Sequence, residues 1–182
     1  MPKKQKKNIQ ATPKKKAIKF CWFKPQTWQL APLATLGPIG YFPKGSGTIG
    51  SLVALPIAYC ASNISIYLLW GITVLFFVFG LRAIAQFTEN TTEKDPNCVI
   101  VDEVVGQLMT FLVVMPHFMH WPVLLIGFIL FRFFDIFKFG LVAFWDRRKK
   151  PLGVMMDDVA AGIFAGFILA ILQVLSTNNI LD

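Results

Sequence analysis

Charge is scarce in this chain of 182 residues: Asp, Glu, Lys and Arg make up 15% of it, where soluble domains carry about 25%. Apolar residues reach 55%. That imbalance excludes an ordinary water-soluble domain. Residues 64–81 hold no charge, residues 121–130 are apolar throughout, and residues 160–175 have Gln173 as their one polar amide. Runs of this length and composition predict an all-α, polytopic transmembrane bundle. The length predicts one membrane-embedded domain, residues 22–182, behind a tail of residues 1–21.

Cysteine and histidine are also few. Cys21, Cys60 and Cys98 are an odd number without metal-ligand spacing, so they indicate neither a disulfide framework nor a zinc site. No Cys is followed six residues later by Arg, which excludes the phosphatases with a Cys nucleophile. The two histidines, His117 and His120, fall in one short loop. They lack the paired His and Arg motifs of phosphohistidine lipid phosphatases, and no Ser–His–Asp set can form across the membrane.

The formal charge of +8 is unevenly distributed. Residues 1–24 contain nine Lys and no acid; the remainder carries nine basic and ten acidic residues. The tail therefore reads as a disordered, solvated cytoplasmic arm. Its lysines attract anionic lipid headgroups by about 1 kcal/mol each near a bilayer surface. No aromatic platform or groove-reading motif follows it, so no nucleic-acid partner is expected. No short apolar stretch with a cleavage site follows it either, so it does not read as a signal peptide.

Pro and Gly interrupt residues 25–47, and Trp22 and Trp28 suit a membrane–water boundary. Residues 22–46 read as an interfacial segment ending in a glycine-rich loop. Five apolar segments follow, at about 48–62, 65–86, 98–115, 121–139 and 158–175. If all five cross, the connections "ASNIS" and "PHFMHW" lie outside without Lys or Arg. The connection carrying "RRKK" then shares the inner side with the tail, as the positive-inside rule requires. Nearly every charge beyond the tail then converges on the cytoplasmic face.

In "DPNCVIVDEVVGQLM", Asp95 and Pro96 suit a helix start. Asp102 and Glu103 would then lie about two turns inside, with Gly106 on the Asp102 face. In "MMDDVAAGIFAG", Asp157 and Asp158 suit a helix's first turn. Asp158, Gly162 and Gly166 also share one small-residue face, which points Asp158 into the bundle. In "FRFFDIFKFG", Arg132, Asp135 and Lys138 are spaced as helix-surface neighbours. They form either a salt-bridge ladder or a functional site, since ionisable groups in a membrane are costly. Clustered carboxylates suit a hard divalent cation such as Mg²⁺. Arg and Lys beside them suit phosphate oxygens. Lys44 and the backbone of "GSGTIGS", with Gly47 and Thr48, can add donors at a helix's positive end. An ion-transporting subunit would instead spread its acids through the bilayer depth. A lipid phosphotransferase would carry Asp-Gly followed by Ala-Arg and two later Asp, a motif missing here.

These blocks resemble the phosphatidylglycerophosphatase A family over nearly all of residues 40–170. "GSGTIGSLVALP", "VDEVVGQL" and "FRFFDIFKFGLVAFWDRRKKPLGVMMDDVAAG" are similar to its three charged or glycine-bearing blocks, in order and spacing. The resemblance implies Mg²⁺-dependent removal of the terminal phosphate of phosphatidylglycerophosphate, at the cytoplasmic face of a bacterial inner membrane. Carried across by position, Asp102, Glu103, Arg132, Asp135, Lys138, Asp146, Asp157 and Asp158 are the family's polar positions. The expected metal set is Asp102, Glu103, Asp135, Asp157 and Asp158, with Asp102, Glu103, Asp135 and Asp158 catalytic. Substrate contacts are expected from Arg132, Lys138, Lys44, Gly47 and Thr48. Ser46, Phe139, Leu141 and "KKPLG" depart from the family's prolines and glycines, which bears on loop conformation rather than charge. Oligomeric state is left open.

Overall fold

A computed structural model describes residues 30–42, 45–89, 98–148 and 150–178. The lysine tail, Lys44 and the Asp95–Pro96 pair lie outside these residues. The described residues form seven α-helices and no strand. These are α1 (Ala31–Ala34), α2 (Ser46–Ile64), α3 (Ile66–Glu89), α4 (Val101–Phe111), α5 (Trp121–Phe137), α6 (Leu141–Asp146) and α7 (Pro151–Asn178). Three helical stretches are long and apolar enough to cross a membrane: Ser46–Ile64, Ile66–Phe87 and Pro151–Thr177.

The other two expected spans are shorter. Helix α5 has 17 residues and α4 has 11, the latter about 16 Å of helix at 1.5 Å per residue. Helix α4 is the centre of the bundle and packs against α2, α3, α5 and α7. Its side chains are buried nearly all round, including Val104, Val105, Leu108 and Phe111, the pattern of an enclosed helix. The lipid-type surface belongs to the outer helices, where Tyr67, Val74, Leu75, Ile129 and Phe167 are exposed.

The apolar core divides by depth. One cluster joins Ala61, Leu69, Phe111, Met119, Leu124 and Leu169. Another joins Ala83, Phe87, Cys98, Val101, Met155 and Val159 at the opposite pole. Past α4, residues 112–120 continue toward the first pole, where the Met115 N–H donates to Gln173 Oε1 at 3.0 Å. The buried threonines of α3 and α4 are satisfied within their own helices. Thr73 and Thr110 donate to the carbonyls of Leu69 and Gly106 at 2.8 and 3.2 Å, as apolar surroundings demand.

Lipid is as apolar as a leucine side chain, so membrane helices gain little hydrophobic energy from touching each other and rely on close packing. Helices α4 and α7 achieve it through glycine. A Cβ on Gly162 would strike the Gly106 carbonyl, and one on Gly106 would lie 2.6 Å from the Asp158 carbonyl oxygen and from the Phe131 ring. Ala161 and Ala165, fully buried, flank that seam.

Three local expectations change. Helix α4 begins at Val101, after the non-helical residues 98–100, where the Ile100 N–H donates to the Ala34 carbonyl at 2.9 Å. Asp102 and Glu103 therefore sit in its first turn. The "GSGTIGS" stretch is not a loop: beyond Gly45 it is the opening of α2. Helix α7 starts at Pro151, a residue favoured at a first helical position. Asp157 and Asp158 thus lie in its second turn and do not cap it.

Gly162→Ala is expected to destabilise the fold by about 1–3 kcal/mol through overpacking. Gly166→Ala should cost less, since its added Cβ would meet the Thr110 carbonyl at 3.0 Å. Thermal unfolding in detergent checks the order, and equal losses would contradict it.

Candidate active site

The ends of four helices meet at the second pole. Helix α4 presents Asp102 and Glu103, α7 presents Asp157 and Asp158, α5 ends with Arg132 and Asp135, and α2 begins with Ser46, Gly47 and Thr48. The glycine seam sets the first two pairs together. One oxygen each from Asp102, Glu103 and Asp158 lie within 4.8 Å of one another. Asp102 and Asp158 are 6% and 5% exposed, so these charges face each other rather than water. The Glu103 N–H donates to Asp102 Oδ1 at 3.1 Å, which ties the adjacent pair.

Helix α2 reaches the same cluster. A Cβ at Gly47 would strike Glu103 Oε1, so a larger residue there would push the Glu103 carboxylate aside. Thr48 lies in the same turn. The backbone is anchored by Ser51, whose hydroxyl donates to the Gly47 carbonyl at 2.9 Å. The positive end of α2 therefore adjoins a negative cluster, the electrostatically favoured arrangement.

Asp135 lies against Asp158 and within electrostatic range of Glu103. Its other neighbour is Arg132, whose Nη1 is 2.7 Å from Asp135 Oδ2. That contact is Coulombic without hydrogen-bond alignment, so guanidinium N–H directions remain for another oxygen. Phe131, fully buried, packs on Gly106 and fixes the turn that carries Arg132. Phe133 and Phe137 face outward. The phenylalanines of this segment thus divide between packing and lipid-type surface.

Lys138 does not continue the helical row. Helix α5 ends at Phe137, and Lys138 takes a left-handed conformation at φ 49°, which costs a residue with a side chain about 1–2 kcal/mol. The turn carries its ammonium to Asp146 of α6 and, at 3.0 Å, to Asp157 Oδ2. Partial burial disfavours this ammonium, and the two carboxylates offset that cost. Asp157 Oδ1 has no hydrogen-bond partner among the described residues.

The five carboxylates expected to hold metal therefore differ in their surroundings. Asp102, Glu103 and Asp158 form a close trio, Asp135 adjoins it beside Arg132, and Asp157 is paired with Lys138. Asp146 enters through its bond to Lys138. Gln107 was not singled out by sequence reasoning. It is fully buried on α4 with both amide atoms unpartnered among the described residues. The available signal was its place one turn beyond Glu103 in an otherwise apolar stretch.

The fold and this pole define an integral membrane protein of helices, with a buried acidic site flanked by cations. The family model for phosphatidylglycerophosphatase A matches residues 32–173, and the chain belongs to that family. Among curated proteins, a putative phosphatidylinositol-3-phosphatase of Bacteroides thetaiotaomicron is 35% identical over 137 residues, covering 72% of this chain and 86% of the relative. A phosphatidylglycerophosphatase A of Haemophilus influenzae is 31% identical over 138 residues, covering 74% and 82%. That of Escherichia coli is 28% identical over 131 residues, covering 71% and 75%. No solved structure matches the chain.

Lys138→Met and Asp157→Asn are each expected to lower stability, and the double variant should lose less than their sum. A coupling of about 0.5–3 kcal/mol is the range for groups in direct contact. Thermal unfolding of all four proteins in detergent measures it, and strict additivity would rule out the pairing.

Proposed function

We propose that the acidic pole is the active site of a Mg²⁺-dependent lipid phosphatase that converts phosphatidylglycerophosphate to phosphatidylglycerol and phosphate. The observation that carries this reading is the close trio of Asp102, Glu103 and Asp158 beside the cations of α5, in a chain of this family. Family membership supports the phosphatase activity and the lipid substrate. The metal is supported by the donor set. Three carboxylates with oxygens within 4.8 Å of each other repel one another, and Glu103 Oε2 is a buried acceptor without a partner among the described residues. Both features fit a hard cation bound through oxygen.

Asp102, Glu103 and Asp158 would hold the ion, with Asp135 at its edge. When bound, Mg²⁺ supplies Lewis-acid charge neutralisation to the reacting phosphate. The chain's own groups do the rest. Arg132, oriented by Asp135, offers N–H donors to the phosphate oxygens. The α2 N-terminus at Gly47 and Thr48 adds partial positive charge. Lys138 is engaged by Asp146 and Asp157, so in this reading it braces α6 against α7 and lends long-range positive potential to the site. Lys44 remains a candidate for the same phosphate. Catalysis rests on positioning and fixed charge.

In this reading all five expected segments traverse the bilayer. Residues 98–115, with helix α4 at their centre, would make the third passage, supported by the Met115–Gln173 contact at the far pole. The active pole would face the cytoplasm of a bacterial inner membrane, with the lysine tail on anionic headgroups there. The Bacteroides relative's name favours testing a second substrate, a phosphoinositide monoester, since the shared chemistry is hydrolysis of a headgroup phosphate.

Phosphate release from phosphatidylglycerophosphate in detergent is expected to require Mg²⁺ and to stop with EDTA. Asp135→Asn should lower the rate by about a hundredfold or more, and retention of full activity would falsify its role. Glu103→Gln should raise the Mg²⁺ requirement by at least the ~10–100-fold that loss of a supporting residue costs. Faster release from phosphatidylinositol 3-phosphate would transfer the activity to that substrate.

A further inference from the structure

Gln107 is 0% exposed, and neither its amide nitrogen nor its amide oxygen has a hydrogen-bond partner among the described residues. An unsatisfied buried amide costs about 1–3 kcal/mol, and an apolar residue of the same shape would avoid that cost. Its position suggests what the amide is for. Gln107 lies four residues after Glu103 on α4, hence on the same face one turn along. Helical side chains lean toward the N-terminus of their helix, which for Gln107 is the direction of Glu103 and the acidic trio. Glu103 Oε2 is itself a buried acceptor without a partner among the described residues. A donor that lacks an acceptor and an acceptor that lacks a donor thus occupy successive turns of one helix face.

We propose that Gln107 is a positioning residue for Glu103 in the metal-loaded site. Its amide N–H donates to Glu103 Oε2, directly after side-chain rotation or through one water. Glu103 Oε1, on the side facing Gly47, is then free for the cation. The bond holds the carboxylate in one rotamer, which a cation ligand needs. Carboxylates that bind metals are commonly held this way, and the supporting partner typically contributes 10–100-fold in affinity. This inference rests on the metal reading given above.

The test measures Mg²⁺ affinity by calorimetry on the detergent-solubilised full chain, without substrate. Gln107→Met keeps the volume and removes the amide. It is expected to weaken Mg²⁺ binding about 10–100-fold, while thermal unfolding of the metal-free protein stays the same or moves upward. Should Gln107→Met fail to fold, Gln107→Asn replaces it; its amide stem is a methylene shorter, and the same fall in affinity is expected. Wild-type affinity in the folded variant would overturn the role of Gln107 and leave the metal reading intact. Absence of Mg²⁺ binding by the unaltered protein would overturn both.

Discussion

Everything at the polar pole depends on how closely α4 approaches α7. The approach is set where Gly106 and Gly162 face each other, with no room for a Cβ on either side. In a membrane this contact cannot be replaced by a greasier one, because apolar side chains gain little by leaving lipid for protein. Backbone proximity is the stabilising quantity. The same proximity brings Asp158 against Asp102 and Glu103. The helix seam that holds the bundle together is therefore also the device that assembles the carboxylates.

Such an assembly is electrostatically unfavourable by itself. Like charges in poorly solvated surroundings repel, and burial penalises each ionised form. The surrounding structure supplies partial compensation in layers. The α2 N-terminus adjoins Glu103 through Gly47. Arg132 answers Asp135, and Lys138 answers Asp157 and Asp146. The trio itself remains tightly drawn, with one oxygen of each carboxylate within 4.8 Å of the others. In the function proposed above, this concentration of carboxylate oxygens is what a divalent cation would neutralise.

Much of this could be read in the residues before any folding was considered. Charge scarcity and uninterrupted apolar runs marked a helical membrane protein, and the small-residue spacing of Asp158, Gly162 and Gly166 correctly placed a packing face below a carboxylate. Helix ends were harder. Asp95 and Pro96 look like a helix start and lie outside the described residues, but α4 itself begins at Val101, just after the hydrogen bond from Ile100 to Ala34. That bond joins segments far apart in sequence, so no local pattern could announce it. Lys138 shows the same limit. Its spacing from Asp135 fits a helix surface, but the helix ends one residue earlier, and the left-handed turn sends its ammonium to a different pair of acids.

The sequence by itself determined the class of protein, the residue types available for chemistry, and the family, because hydropathy and the order of charged blocks are properties of the linear chain. Only the tertiary structure decided which carboxylates share a site, since that depends on the depth of helix starts and the distance between helix axes. It separated Asp102, Glu103 and Asp158 from the ion-paired Asp157 and drew attention to a buried amide at Gln107. Hydrogen-bond satisfaction and mutual distance are relations among side chains from different helices, and they exist only once the helices have packed.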